Sequence, residues 1–141
     1  MPGWPIPSEF PLNKLVGQEV TQICIGIGQV QLNLYWQPQP GTPDHWEPGA
    51  RIDIESAFTL AEDGANSTMV EPDSFKSKGA LLANLLGETI SEVCREPRNE
   101  LRLVFSKGLS LRMHTDPQGF ESYHLHIAGE SVTITGAQGA G

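Results

Sequence analysis

Three histidines near the carboxyl-terminal end of the chain form the pattern most suggestive of chemistry. His124 and His126 are two residues apart in an alternating segment, so they share one face of a predicted strand. Pairing that strand with the preceding one across the turn at 116–119 would bring His114 to the same face. Three imidazoles can bind zinc or another transition metal, although Arg112 would then lie beside His124 and we expect no cofactor. The alternatives are a solvated polar face or a contact that responds to pH.

Glu121 is a second candidate for chemistry. Glu121 is an even number of residues from Tyr123, Leu125 and Ile127, so it shares their side of an alternating strand. The alternation therefore predicts a carboxylate that points to the buried side at the rim of the sheet. A buried carboxylate needs a partner, because burial without one favours the protonated form. Glu121 can accept hydrogen bonds at the edge of the core or act as a general acid or base, but the sequence pairs it with no second acid or nucleophile.

Aromatic and acidic side chains gather in and around a long loop, residues 37–49, which contains four prolines. Large aromatic side chains dominate the energetics of protein interfaces, so this loop predicts a surface that recognises a protein partner. The alternative is that Trp36 and Trp46 only cover the end of the core. The predicted partner-binding residues are Tyr35, Trp36, Asp44, His45, Trp46, Glu47, Glu62 and Asp63.

The elements that must position these residues occur twice. Leu15-Val16-Gly17 returns as Leu85-Leu86-Gly87, and alternating apolar residues follow each glycine. Two copies, each too small for a core of its own, predict a single pseudo-symmetric domain over residues 1–141. The repeats span about 12–60 and 82–127 and are followed by a C-terminal strand, with flexible ends at 1–8 and 136–141.

The patterns predict an α+β fold that is mostly β. Antiparallel meanders would form a two-sheet sandwich or a partly open barrel. One short helix is expected near residues 75–86, where leucines follow helical spacing and Gly87 ends the element. In the second copy the predicted hairpin places Met113 opposite Tyr123 and Leu111 opposite Leu125.

The net charge of −8 is concentrated in one segment. Residues 44–73 contain eight acids and one base, whereas the remaining residues contain nine acids and eight bases. Nucleic acid is excluded as a partner, because its binding needs clustered lysine and arginine. An acidic face suits a basic protein partner, while acids in loops also keep a protein in solution. We expect no membrane partner, because no apolar run approaches the roughly 20 residues of a membrane span.

Only two cysteines, Cys24 and Cys94, are present, and this count builds neither a disulfide scaffold nor a zinc site. They occupy equivalent positions in the repeats and can meet only if both lie near the pseudo-two-fold axis. Residues 1–10 lack the basic and apolar regions of a secretion signal. We therefore expect a cytoplasmic protein.

The repeated Leu-x-Gly, the strand at 101–105, the Lys107-Gly108 turn and the ending Phe120-Glu121-Ser122-Tyr123 resemble small bacterial β-rich domains of unknown function. Some similar domains are encoded near toxins and are suspected immunity proteins. The resemblance covers roughly residues 12–134, rests on structural motifs and implies no catalytic residues.

The leading hypothesis is a non-enzymatic protein-binding domain, and its narrower form is an immunity protein that covers a basic toxin surface. The first alternative is a metal- or small-ligand-binding β domain built on the three histidines. The second is a structural subunit, which can be a homodimer.

Overall fold

Two antiparallel β-sheets make up the fold. The computed structural model describes residues 5–38, 40–41, 46–62 and 67–136. Of the predicted features, Asp44, His45, Asp63 and the ends at 1–4 and 137–141 lie outside this described part. Within it, ten strands form two five-stranded sheets around one hydrophobic core, which confirms the predicted sandwich.

The strands are short, with four to eight residues each. Sheet one has the order β1-β2-β3-β9-β10 and sheet two the order β5-β4-β8-β7-β6, where the labels follow the chain. In chain order the strands are β1 (Glu19–Ile25), β2 (Val30–Trp36), β3 (Glu47–Ile54), β4 (Phe58–Glu62), β5 (Ser67–Val70), β6 (Ile90–Glu96), β7 (Glu100–Phe105), β8 (Leu109–Met113), β9 (Glu121–Ile127) and β10 (Glu130–Thr135).

The helical elements are short. The predicted helix near 75–86 is present as one α-helical turn, α1 (Phe75–Lys78), continued by a 3₁₀ segment, Gly79–Leu85. Its buried side chains close one side of the core. None of the helices in the described residues is long and apolar enough to cross a membrane. The remaining 3₁₀ turns are Leu12–Leu15, Pro72–Ser74 and Pro97–Asn99.

Each copy of the duplication supplies strands to both sheets. The first copy places β1, β2 and β3 in sheet one and then sends the hairpin β4-β5 into sheet two. The second copy places β6, β7 and β8 in sheet two and sends β9-β10 into sheet one. β9 therefore pairs with β3, and β4 pairs with β8 in the same way. The duplication becomes a pseudo-two-fold arrangement with exchanged hairpins and a shared core.

The two glycine motifs contact each other where the copies meet. The Gly17 amide donates to the Ile90 carbonyl over 2.8 Å, and the Gly87 amide donates to the Val20 carbonyl over 2.9 Å. Both glycines have positive φ, 95° and 84°, a conformation that other residues adopt only with strain. The repeated Leu-x-Gly motif thus builds the junction between the two copies.

The predicted pairing of residues 109–113 with 121–127 is wrong. β8 lies between β4 and β7, whereas β9 lies between β3 and β10, so Met113 is not opposite Tyr123. The turn at 116–119 does form, with the Gly119 amide donating to the Asp116 carbonyl over 3.0 Å. It carries the chain from one sheet to the other instead of closing a hairpin.

The amino-terminal segment is tied to sheet two. Ile6 is buried in the core. The Arg95 guanidinium donates from Nη1 to the Ile6 carbonyl over 2.9 Å and from Nη2 to the Pro7 carbonyl over 2.8 Å. Ile6 and Pro7, which lie in the predicted flexible end at 1–8, therefore contact Arg95 of β6.

Candidate functional site

The outer face of sheet one carries a network of polar side chains centred on Asp53. The Asp53 carboxylate is 8% exposed and accepts a 2.8 Å hydrogen bond from Gln31 Nε2. Arg51 Nε lies 3.2 Å from Asp53 Oδ1, and His126 Nε2 lies 3.4 Å from Oδ2. Arg51 Nη2 is also 3.0 Å from His126 Nε2. The guanidinium therefore occupies the side of His126 from which a metal ion would approach.

His124 has a different environment on the same face. Its Nδ1 is 2.9 Å from Thr133 Oγ1 on the neighbouring strand. Its Nε2 is 3.2 Å from Glu55 Oε1 and 3.9 Å from Glu121 Oε2. One ligand atom from each of His124, Glu55 and Glu121 lies within 4.8 Å of the others. Two carboxylates thus converge on one imidazole nitrogen.

Glu121 is not the buried acid that the sequence predicted. Its side chain is 64% exposed. The register of β9 against β10 shifts between Tyr123 and Glu121, which leaves Ser122 as an extra residue in a β-bulge. The bulge reverses the alternation at this point, so Glu121 turns to the outer face while Ser122 is buried.

The three-histidine metal site does not assemble, because His114 belongs to sheet two. His114 Nε2 lies 2.7 Å from Thr59 Oγ1, and Nδ1 lies 3.2 Å from Glu100 Oε1. Arg112 Nε is 2.7 Å from that Glu100 oxygen. Arg112 therefore accompanies His114 and Glu100, and the prediction that it lies beside His124 is wrong.

Thr59, His114 and Glu100 follow the order hydroxyl, imidazole, carboxylate of a nucleophilic triad. Such a triad also needs backbone amides that stabilise the oxyanion of the intermediate. Thr59 lies in the middle of β4, which pairs with β5 on one side and β8 on the other. The backbone amides around Thr59 form hydrogen bonds within the sheet, so they are not available to an oxyanion. The contacts among Thr59, His114 and Glu100 therefore orient these side chains on the outer face of sheet two.

A second feature is the exposed aromatic end of the β2-β3 pair, here called the tryptophan end and defined by Trp36, Trp46 and Glu47. Trp36 is 37% exposed and Trp46 39% exposed. Glu47 is exposed and pairs with Trp36 across the two strands. The Trp36 ring packs over Gly17, where Cζ3 would lie 3.2 Å from an added Cβ. The two tryptophans are therefore only partly used in the core.

The other predicted partner-binding residues are dispersed. Tyr35 is half-buried opposite Pro48 and lines a shallow groove of about 340 Å³ with Arg51 and His126. Glu62 is exposed at the end of β4 in sheet two, opposite Leu109. Asp44, His45 and Asp63 lie outside the described residues.

The outer face of sheet two holds Cys94 and the ion pair between Arg102 and Glu96. Cys94 Sγ donates to Glu92 Oε1 over 3.4 Å, and partial burial together with that carboxylate raises the pKa of the thiol. A 2.9 Å hydrogen bond from Arg102 lowers the pKa of the Glu96 carboxyl. Cys24 is exposed on the outer face of sheet one, and both thiols are free. The cysteines keep equivalent places in the two sheets without forming a bond.

Sequence reasoning missed Glu55 as a neighbour of His124. Glu55 lies two residues after Asp53, so alternation puts both on the outer side, but the pairing of β3 with β9 has no signal in the sequence. The Glu55 and Ser56 amides both donate to the Ser122 carbonyl, over 2.8 Å and 3.0 Å. These two bonds hold the corner after β3 against the bulge in β9.

The comparisons with known proteins identify a family and leave the function open. No curated protein and no solved structure matches the chain. A protein-family model described as a family of unknown function (DUF6188) matches residues 11–140. The match covers both copies of the duplication, and the structure agrees with the predicted resemblance to a β-rich family of unknown function. The chain therefore belongs to the DUF6188 family.

Proposed function

We propose that this chain is a non-enzymatic protein-binding domain whose partner presents a basic surface. The observation that carries the proposal is the exposure of two tryptophans, Trp36 and Trp46, at one end of the β2-β3 pair. Tryptophan contributes more binding free energy than most residues when a partner covers it, because it buries a large apolar area with few rotatable bonds. The tryptophan end therefore provides an anchor for a partner.

The exposed acids supply the expected charge complementarity. Glu47 adjoins Trp36 across the strands, and Glu62, Glu71 and Asp73 are also exposed. Asp53 and Glu55 belong to the same acidic segment but contact Arg51 and His124. An acidic surface raises the rate at which a basic partner is encountered. The same surface binds acidic competitors more weakly, because like charges repel.

The resemblance to immunity-type domains suggests a narrower role. In that role the partner is a toxin, and the domain covers a basic binding or active surface of the toxin. The exposed aromatic anchor beside an acid is the kind of surface that such covering requires.

Affinity capture with matched variants tests the binding role. Wild-type protein, Trp46→Ala and the control Phe120→Ala would each be immobilised and exposed to a lysate of the source organism. Phe120 is the matched control because it is an exposed aromatic, 63% exposed, outside the tryptophan end. We expect wild type and Phe120→Ala to retain the same protein, and Trp46→Ala to lose it.

The captured protein would then be purified and its affinity measured at low and high salt. A basic partner whose affinity falls with salt supports the proposal, and protection from its toxicity by the wild-type chain supports the narrower role. Retention that is equal for Trp46→Ala and Phe120→Ala would refute the role of the tryptophan end. Capture of the same chain alone would favour the structural-subunit alternative.

A further inference from the structure

We propose that Glu55, Glu121 and His124 form a binding site for a divalent transition-metal ion. This site is separate from the tryptophan end and does not depend on the protein-binding role. A tetrahedral ion with ligands at about 2.1 Å keeps neighbouring ligand atoms about 3.4 Å apart. The distances from His124 Nε2 to Glu55 Oε1 and to Glu121 Oε2 are 3.2 Å and 3.9 Å. The Glu121 side chain is 64% exposed, so rotation about its side-chain bonds can bring the carboxylate to ligand distance.

The backbone around the site is built to bring these three residues together. Residues 121 and 124 would point to opposite faces of a regular strand, because successive side chains alternate. The bulge at Ser122 turns Glu121 to the face of His124. The Ser122 carbonyl also accepts the amides of Glu55 and Ser56, which fixes Glu55 beside the bulge. The bulge and the two hydrogen bonds thus place Glu55, Glu121 and His124 next to one another.

Thr133 orients the imidazole for metal binding. Its hydroxyl lies 2.9 Å from His124 Nδ1, and a hydroxyl can either donate to that nitrogen or accept from it. When Nδ1 carries the proton and donates to Thr133, the lone pair of Nε2 faces Glu55 and Glu121. Metal-binding histidines commonly use a hydrogen bond at the second ring nitrogen in this way.

The other two described histidines show why this one is the metal ligand. Arg51 lies 3.0 Å from His126 Nε2, and Arg112 lies 2.7 Å from the carboxylate beside His114. Among the described residues, the ion pairs of Glu55 and Glu121 involve His124 and no arginine or lysine. Two carboxylates without a neighbouring cation repel each other, and a divalent ion removes that repulsion.

The ligand set defines the class of ion. One imidazole nitrogen with two carboxylates suits zinc or manganese, whereas calcium and magnesium prefer oxygen ligands alone. Because Glu121 is 64% exposed, water can complete the coordination. The site is therefore an open one, with room for a small anionic ligand on the ion.

Isothermal titration of EDTA-treated, tag-free protein with Mn²⁺ and with Zn²⁺ tests the proposal. We expect one ion per chain, with binding weakened at least about tenfold in Glu121→Gln and in Glu55→Gln, which remove ligand charge. Thr133→Val removes only the hydroxyl and is expected to weaken binding about tenfold. The matched control is Glu130→Gln, an exposed acid at the start of β10, which should bind like wild type.

Circular dichroism confirms that each variant remains folded before titration. Absence of binding for both ions at millimolar concentration would overturn the site. Binding that Glu121→Gln and Glu55→Gln leave unchanged would overturn it as well, because the ion would then lie elsewhere, for instance on a cysteine thiolate. If Glu130→Gln weakened binding as much as Glu121→Gln and Glu55→Gln do, the effect would come from the total surface charge. That result would refute the assignment.

Discussion

A Cβ atom on Gly49 would lie 1.9 Å from Oε1 of Gln18, so these two residues fit together only because position 49 has no side chain. Gln18 is 1% exposed, and its Oε1 accepts a 2.7 Å hydrogen bond from the Ala50 amide. Its Nε2 donates to the Lys14 carbonyl over 2.8 Å. The buried amide of Gln18 therefore links β3 to the turn before β1.

Replacing Gly49 with alanine is expected to lower the free energy of unfolding by about 2 to 4 kcal/mol, because the Gln18 side chain must move and its buried hydrogen bonds are lost. Urea unfolding monitored by circular dichroism measures the change. Gly28→Ala is the matched control, since nothing lies within 4 Å of a Cβ at that position. Equal stability of the two variants would show that Gln18 can relocate without cost.

The duplicated glycines offer an internal comparison. Gly17 and Gly87 both have positive φ, so alanine at either position costs about 1 to 2 kcal/mol of backbone strain. Only at Gly17 does a Cβ meet a neighbour, the Trp36 ring at 3.2 Å. We expect Gly17→Ala to be the less stable variant and to change tryptophan fluorescence. The idea fails if Gly87→Ala is destabilised as much or shifts the fluorescence equally.

Tyr123 predicts a loss of stability at high pH. Its hydroxyl is buried and donates to the Asn99 carbonyl over 2.5 Å. Burial, together with the negative charge of Glu100, raises its pKa above the ordinary value of 10.0. The protonated phenol is therefore favoured in the folded state. Its contribution to stability is complete below pH 10 and is lost as the pH rises from there toward the folded-state pKa.

Urea unfolding at pH 9 and pH 11 tests this behaviour. Tyr123→Phe is expected to lose about 1 kcal/mol at pH 9 because the hydrogen bond is missing. Between the two pH values it should lose less stability than wild type, because it lacks the phenol that ionises on unfolding. Tyr35→Phe, a change at a half-buried tyrosine, serves as control and should follow wild type. Parallel pH dependence of wild type and Tyr123→Phe would contradict the assignment.

The two cysteines should differ in their reaction with iodoacetamide. The thiolate is the reactive form, and Cys94 forms less of it because its pKa is raised by partial burial and by Glu92. Cys24 is exposed. Mass spectrometry of a time course at pH 8 should show Cys24 modified before Cys94. Glu92→Gln should accelerate modification of Cys94 and leave Cys24 unchanged, and a slower Cys94 in that variant would disprove the role of the carboxylate.

The sequence predicts which side of most strands is buried, but it does not predict which strands pair with each other. Alternation shows that Leu111, Met113, Tyr123 and Leu125 are buried, and they are. The same alternation is satisfied whether β8 pairs with β9 or packs in the opposite sheet. Hydrophobic burial depends on which side of a strand is apolar, so it does not specify which strand lies alongside.

The candidate metal site shows the same division. His124 was predicted to lie on an outer face because its position follows from parity. Glu121 was assigned to the wrong face, because a single extra residue at Ser122 reverses parity and has no periodic signal. Glu55 lies near His124 only because β9 of the exchanged hairpin pairs with β3, which is a long-range contact between the two copies.

The exchanged hairpins have an evolutionary consequence. A polypeptide that held one copy alone would complete its sheet only with strands from a second molecule, as in a domain-swapped homodimer. In such a dimer every substitution appears twice. A single gene that encodes both copies removes that restriction, so equivalent positions can diverge. Cys24 and Cys94 occupy matching places in the two sheets. Along the row of paired residues that begins at each cysteine, however, Asp53 of one sheet corresponds to Arg112 of the other, and His124 corresponds to Thr59.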